Sequence, residues 1–204
     1  MLRTLAATLL VASTATLPLT ARAAAETQTA IFAGGCFWCV ESDFDHVPGV
    51  ISTTSGYTGG HVKDPTYEQV VTETTGHRES EKIGFDSSKT SYAKLLDVYF
   101  HATDPTDGGG QFCDRGESYT PAIFYLNDEQ KKEAEAAKAE AAKELGQPVV
   151  TKILPASAFY PAEDYHQDYY RKNSLRYKYY RYGCGRDARL EELWGKQAHR
   201  GIKE

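Results

Sequence analysis

The segment Ile31-Phe32-Ala33-Gly34-Gly35-Cys36-Phe37-Trp38-Cys39 constrains the fold more than any other stretch of this chain. Thr29 to Ala33 is an apolar run of strand length, and Phe37 to Phe44 repeats apolar residues at helical spacing. The diglycine between them therefore marks a strand-to-helix turn, which places Cys36 at a helix N-terminus. The unpaired N–H groups and partial positive charge of such a terminus favour thiolate over thiol. The pattern thus predicts a nucleophilic cysteine backed by two aromatic side chains. The competing reading is a small core cysteine with Phe37 and Trp38 as packing, because free cysteine is among the most buried residue types.

The rest of the chain reads as alternating strands and helices. Pro48-Gly49 turns into a strand over Val50 to Tyr57, followed by a surface loop from Thr58 to Thr66. Glu68 to Thr72 and Ser80 to Phe85 are predicted to pair as strands, joined through Thr74-Thr75-Gly76-His77. Tyr92, Leu95, Leu96 and Tyr99 fall on one face of a helix. Asp104 to Gly116 is a glycine-rich loop long enough to suggest a function. Ala122 to Leu126 reads as a buried strand, and Asn127-Asp128 caps a helix that runs to Leu145 and stops at Gly146 and Pro148. Val149 to Ile153 is expected to close the sheet, Glu163 to Lys172 to form a short helix, and the tyrosines of 169–182 to line a helix face and a C-terminal wrap. Hairpin-type links between these elements predict a single α+β domain, one sheet layer with helices against it.

Residues 1–25 carry Arg3, an apolar stretch from Leu5 to Leu19 and the small-residue run Ala21-Arg22-Ala23-Ala24-Ala25. That is the pattern of a secretory signal peptide cleaved near Ala23 or Ala25, and the stretch is too short and too rich in Thr and Ser to favour a membrane anchor. It predicts an exported, periplasmic protein whose domain occupies residues 26–204, a monomer without membrane attachment after cleavage. The formal net charge of -5 makes nucleic acid a poor partner.

Four further pieces occur in order with Gly-Cys-Phe-Trp: Ser55-Gly56-Tyr57-Thr58-Gly59-Gly60, Asp64-Pro65-Thr66-Tyr67, Thr75-Gly76-His77-Arg78-Glu79, and Pro161-Ala162-Glu163-Asp164-Tyr165-His166-Gln167. Together they resemble the class A peptide methionine sulfoxide reductases, from about Ala30 to the glycines around Cys184. The resemblance implies a two-layer fold with a mixed sheet, and an enzyme that reduces the S epimer of methionine sulfoxide, peptide-bound and also free. It implies no cofactor and no metal. Oxidised methionine residues in proteins and peptides are the implied substrates, and a thioredoxin-like dithiol the implied reductant. By the same resemblance Glu79, Tyr67 and Tyr119 donate to the sulfoxide oxygen and Asp114 orders the hydrogen bonds of the site. Cys39, where most of the family has glycine, and Cys113, where it has asparagine, depart from the pattern and bear on regeneration.

The chemistry of the substrate fits these residues. A sulfoxide is a polar S=O on an apolar side chain ending in a methyl group, so Phe37 and Trp38 can form a cup for the methyl. A Glu79 carboxyl beside aromatic walls is desolvated and stays protonated to donate to the oxygen. Attack by Cys36 leaves a cysteine sulfenic acid, which a second thiol resolves. Cys184, Cys113 and Cys39 remain candidates: Cys184 lies between Gly183 and Gly185 in a mobile-looking tail, Cys39 at i+3 of the Cys36 helix, and Cys113 beside Asp114. The same four cysteines suit two alternatives, a thiol-disulfide oxidoreductase using the Cys36/Cys39 pair and a disulfide-stapled binding module. A zinc site would need a second close pair, which Cys113 and Cys184 do not offer in sequence. His77 and His166 are read as structural hydrogen-bonders. Met1 is the only methionine, so the domain contains none of the implied substrate.

Overall fold

The computed structural model describes residues 26–203; the leader expected over 1–25 lies outside the described residues. In chain order the elements are β1 (Thr27–Ala33), α1 (Phe37–Asp45), β2 (Val50–Thr58), α2 (Tyr67–Val70), β3 (Arg78–Asp86), α3 (Tyr92–His101), β4 (Gly110–Gln111), β5 (Asp114–Arg115), β6 (Ala122–Tyr125), α4 (Asp128–Leu145), β7 (Lys152–Pro155), β8 (Tyr160–Pro161), α5 (Tyr169–Lys172), α6 (Ser174–Gly183) and α7 (Arg186–Trp194). Six strands form one mixed sheet in the order β7-β6-β1-β3-β2-β8, and β4 and β5 form a separate small hairpin. All neighbours in the large sheet are antiparallel except β6 and β7. This is the two-layer α+β arrangement with a mixed sheet that the sequence predicts.

Alternation along β1 builds the layers, because successive strand side chains point to opposite faces. Ala30 and Phe32 enter the main core with residues of α1, α3 and α4, while Ile31 and Ala33 join Phe124 in a smaller cluster. Phe32 is fully buried, with ring centroids 5.5 Å from Phe44, 5.9 Å from Tyr92 and 5.0 Å from Tyr99. One strand residue thereby holds both α1 and α3 against the sheet. The Tyr99 hydroxyl also donates to the Ala33 carbonyl at 2.8 Å, fixing the last residue of β1 before the diglycine. α4 has the predicted bounds: the Asn127 side chain accepts from the Gln130 N–H at 2.9 Å, and Gly146 closes the helix in the left-handed region.

Four expectations need correction. The strand predicted over Glu68 to Thr72 is instead the short helix α2, because Thr66 and Gln69 form a reciprocal capping box that nucleates a helical turn. β3 consequently pairs with β1 and β2, not with a local hairpin partner. The strand expected over Val149 to Ile153 begins only at Lys152 and runs to Pro155, in parallel register with β6. The helix expected over Glu163 to Lys172 is confined to Tyr169–Lys172. Upstream of it, the Gln167 amide accepts from the Ser55 N–H at 3.0 Å and donates to the Ser55 carbonyl at 2.9 Å, and Asp168 then takes a left-handed conformation.

The tyrosine-rich stretch expected to line a helix face lies largely on α6, and the chain continues into α7, the two joined through Cys184 and Gly185. Gly185 has a φ of +68°, which glycine adopts without strain. Among the described residues no helix is long and apolar enough to cross a membrane. Phe32→Ala should lower the unfolding free energy by about 3–5 kcal/mol, the usual cost of truncating a buried phenylalanine. Urea unfolding would measure this, and a loss below about 1 kcal/mol would contradict the role given to Phe32.

Candidate active site

The site begins where β1 meets α1. Gly35 has a φ of +82°, and a Cβ placed there would lie 2.5 Å from the Gln111 side chain, so the turn requires glycine. Cys36 occupies the N-cap position of α1, and its backbone carbonyl accepts from the Cys39 N–H at 3.0 Å. The next N–H, that of Phe37, donates to the Glu79 Oε2 at 3.0 Å. Glu79 reaches it from β3, where it lies opposite Tyr57 of β2, and it is 2% exposed.

This contact changes the electrostatics expected of the turn. The helix-end donor assigned to a Cys36 thiolate is taken by the Glu79 carboxyl. Burial pushes the Cys36 thiol well up, and the neighbouring Cys39 and Glu79 raise it further. Glu79 itself is raised to about 8, chiefly by burial, with the Asp114 and Cys39 charges adding to the shift and the Phe37 N–H and the Tyr119 hydroxyl opposing it. Its predicted protonation near neutral pH therefore has a physical basis. Cys39 moves the other way: its thiol is lowered first by a hydrogen bond from Cys36 and then by the charges of Arg186 and Arg181, against the cost of burial. Burial and the loss of the helix-end donor to Glu79 thus oppose the thiolate expected at Cys36 from its place at the helix N-terminus.

Cys36, Phe37, Trp38, Tyr67, Glu79, Asp114, Tyr119 and Tyr180 line one cavity of about 230 Å³. Seven of these are residues that the sequence singles out, drawn from α1, α2, β3, β5 and the 3-10 turn Glu117–Tyr119. Tyr67 and Tyr119 line the chamber beside Glu79, and burial raises both phenols. The Trp38 indole N–H donates to His166 Nδ1 at 3.0 Å, and its ring stacks on Tyr169 at 3.7 Å with 7° between the planes. Glu163 fixes the adjoining wall, accepting from the Tyr57 hydroxyl at 2.8 Å and from the Tyr67 N–H at 2.9 Å. His77 also takes the structural role expected of it, accepting from the Gly60 N–H at 3.1 Å.

Tyr180 is the cavity residue that sequence reasoning misses. Its hydroxyl donates to Asp114, and its ring lines the chamber beside Cys36. The signal was present: Tyr177, Tyr180 and Cys184 fall at i, i+3 and i+7 of one helix, a single face returning over the site. Arg186 is a second missed residue. Almost fully buried, it donates to the Gly34 carbonyl at 3.1 Å and to the Ala102 carbonyl at 2.7 Å, tying α7 to the catalytic turn.

The structure does not bring Cys184 into the cavity. Cys184 and Cys113 form a disulfide with Cα atoms 4.8 Å apart, whereas Cys36 and Cys39 are free and buried. Cys184, one of the three candidates for the resolving thiol, lies at a helix junction with its sulfur bonded to Cys113. Among the described residues, three potential metal-ligand groups come together only at Cys113, Asp114 and Cys184, where the two sulfurs are spent on each other. Alkylating the resting protein under denaturing, non-reducing conditions and mapping its peptides should label Cys36 and Cys39 and recover Cys113 joined to Cys184. Labelling of all four cysteines would contradict this pairing.

Comparison with known proteins agrees with this geometry. The family model for peptide methionine sulfoxide reductase matches residues 28–198. The chain is 57% identical over 179 residues to peptide methionine sulfoxide reductase MsrA 2 of Rhizobium meliloti, covering 88% of this chain and 89% of the relative. It is 53% identical over 176 residues to peptide methionine sulfoxide reductase MsrA of Bacillus licheniformis, covering 83% and 95%. The solved methionine sulfoxide reductase A of Corynebacterium diphtheriae superposes with a TM-score of 0.70 at 33% identity, covering 76% of this chain and 79% of that one. The extent of these matches shows that the chain belongs to the peptide methionine sulfoxide reductase family.

Proposed function

We propose that this enzyme reduces the S epimer of methionine sulfoxide, peptide-bound and also free, to methionine, and that a thioredoxin-like dithiol regenerates it. The observation that carries the reading is one small chamber that holds a buried nucleophilic cysteine, a carboxyl protonated near neutral pH and aromatic walls. Phe37 and Trp38 receive the methyl and sulfur, while Glu79, Tyr67 and Tyr119 face the oxygen. As Cys36 attacks the sulfoxide sulfur, Glu79 gives its proton to the oxygen and regains one from the Cys36 thiol. The S–O bond breaks, methionine leaves, and Cys36 carries the hydroxyl as a sulfenic acid. The Cys39 thiol then condenses with it, forming the Cys36–Cys39 disulfide and water.

Cys39 is favoured as the resolving thiol because it is free and one helical turn from Cys36, to whose carbonyl its N–H donates, while Cys113 and Cys184 are bonded to each other. An external thiolate attacking Cys36 would expel Cys39, and the nearby Arg181 and Arg186 stabilise that leaving thiolate, which speeds exchange. A dedicated thiol-disulfide oxidoreductase built on the same pair would have no use for Glu79 and the two tyrosines. The leader pattern over 1–25 and a Cys113–Cys184 disulfide both support export to an oxidising compartment such as the periplasm.

Single-turnover assays test the two cysteine roles. Cys36→Ser should release no methionine, whereas Cys39→Ser should release about one equivalent, because reduction and resolution are separate steps. Mass spectrometry of the wild type after one turnover should find Cys36 joined to Cys39, and a Cys36–Cys184 bond would overturn the assignment. The pH dependence tests Glu79. The required form is the acid, held protonated up to about 8 by burial, so the reductive rate should fall as pH rises through that value. Glu79→Gln should abolish this limb and slow the step by roughly 10²- to 10⁴-fold; an unchanged rate would remove Glu79 from the chemistry.

A further inference from the structure

Outside the Cys36 chamber the surface continues as a groove of about 670 Å³ that the chemistry above does not use. Trp38, Tyr67 and Tyr180 belong to both cavities, so the groove is an extension of the same wall. Its floor is rigid. Trp38 is held by the Tyr169 stack, by the edge of Tyr180 at 5.6 Å and 76°, and by the bond to His166. Its rim is unspent aromatic surface: Tyr179 is 81% exposed and Tyr165 is 54% exposed. Neither ring belongs to the core, and both line the groove together with Trp38.

The polar groups of the groove narrow what it can hold. The Trp38 indole is a donor only, so His166 Nδ1 is the acceptor of that bond and the proton of the neutral imidazole lies on Nε2. Burial keeps the ring neutral by lowering its pKa. This Nε2–H is itself buried and has no hydrogen-bond acceptor in the protein, so the ring serves the groove by holding Trp38 and offers it no polar contact. Glu68 and Arg176 supply one charge of each sign to the groove wall, and neither has an ion-pair partner among the described residues. A rim of balanced charge gives no net preference for an acidic or a basic ligand. Selection then falls to burial of aromatic and apolar surface, where Tyr and Trp supply large contact area at low entropic cost.

We propose that this groove is a polypeptide subsite that binds the residues flanking an oxidised methionine and selects an aromatic or long apolar side chain next to it. The inference rests on the sulfoxide reductase reading and adds its substrate class: extended segments in which the sulfoxide neighbours a large apolar residue. The occupant is the substrate chain itself, because any peptide whose sulfoxide reaches Cys36 leaves the chamber past Trp38, Tyr67 and Tyr180. Tyr179, Tyr165 and Tyr169 then act as specificity residues, packing against the flanking side chain without touching the reacting atoms.

The test compares kcat/KM for capped pentapeptides carrying methionine sulfoxide with phenylalanine or alanine on its N-terminal or C-terminal side, and for N-acetylmethionine sulfoxide amide, with dithiothreitol as the reductant. The wild type should prefer phenylalanine over alanine on one side by about fivefold or more, in keeping with the energy of an aromatic contact, and the preference should lie in KM. Tyr179→Ala should cut the preference to below about twofold, and Tyr179→Phe should restore it, since the ring and not the hydroxyl makes the contact. Equal rates for the two peptides in the wild type, or an undiminished preference in Tyr179→Ala, would overturn the subsite while leaving the reductase reading intact. Loss of turnover on every sulfoxide, the capped amino acid included, would instead defeat the reductase reading and the subsite with it. If Tyr179→Ala changes only the KM for a thioredoxin-like protein reductant, or if the purified enzyme sediments as a dimer that Tyr179→Ala dissociates, the groove belongs to that partner and the proposal fails.

Discussion

The hydrogen bond from the Phe37 N–H to the Glu79 carboxyl is the contact on which the site depends. It joins the first turn of α1 to the middle strand β3 at 3.0 Å, and both partners are buried. A carboxyl taken out of water needs either a proton or strong donors to be tolerated. A single backbone N–H and one tyrosine hydroxyl offset only part of the burial, so the proton is retained up to about 8. The same bond takes the helix-end donor away from Cys36. Acid and nucleophile are thus coupled through one donor, which Glu79 receives and Cys36 does not.

The remaining electrostatics follow from where the C-terminal helices return. α7 carries Arg186 beneath the turn, where it bonds the Gly34 carbonyl, and α6 carries Arg181, which pairs with Asp43 of α1 at 2.7 Å. These two cations lower the Cys39 thiol, while burial raises that of Cys36. The disulfide between Cys113 and Cys184 closes the same return path: it links the residue before Asp114 to the end of the helix that carries Tyr180. The Tyr180–Asp114 bond lies beside this link, so the disulfide holds that wall of the chamber in place.

Much of this was legible in the sequence wherever the signal is local. The apolar run, diglycine and helical repeat around Cys36 specify β1, the turn and α1, and Asn127 and Gly146 specify α4 to the residue. The failures have physical causes. Glu68 to Thr72 looks like a strand by composition, but the Thr66–Gln69 capping box decides its conformation. The helix expected from Glu163 is shortened because Gln167 bonds the Ser55 backbone as a strand would, a tertiary demand no local pattern shows. Tyr180 and Arg186 reach the site only because two helices fold back over it. The bond between Cys113 and Cys184 spans 71 residues of sequence, and connectivity among four cysteines is not deducible from spacing.

The central claim is that burial keeps Glu79 protonated beside the nucleophile, and infrared spectroscopy of the resting enzyme tests it most directly. The difference spectrum between wild type and Glu79→Gln should show the carbonyl stretch of a neutral carboxylic acid at pH 6 to about 7, converting to carboxylate near 8. Glu41, raised to about 7 by burial, and the buried Glu81 cancel in that difference because both proteins retain them. A difference spectrum showing only carboxylate at pH 6, with conversion near the usual glutamate value of about 4.3, would contradict the account.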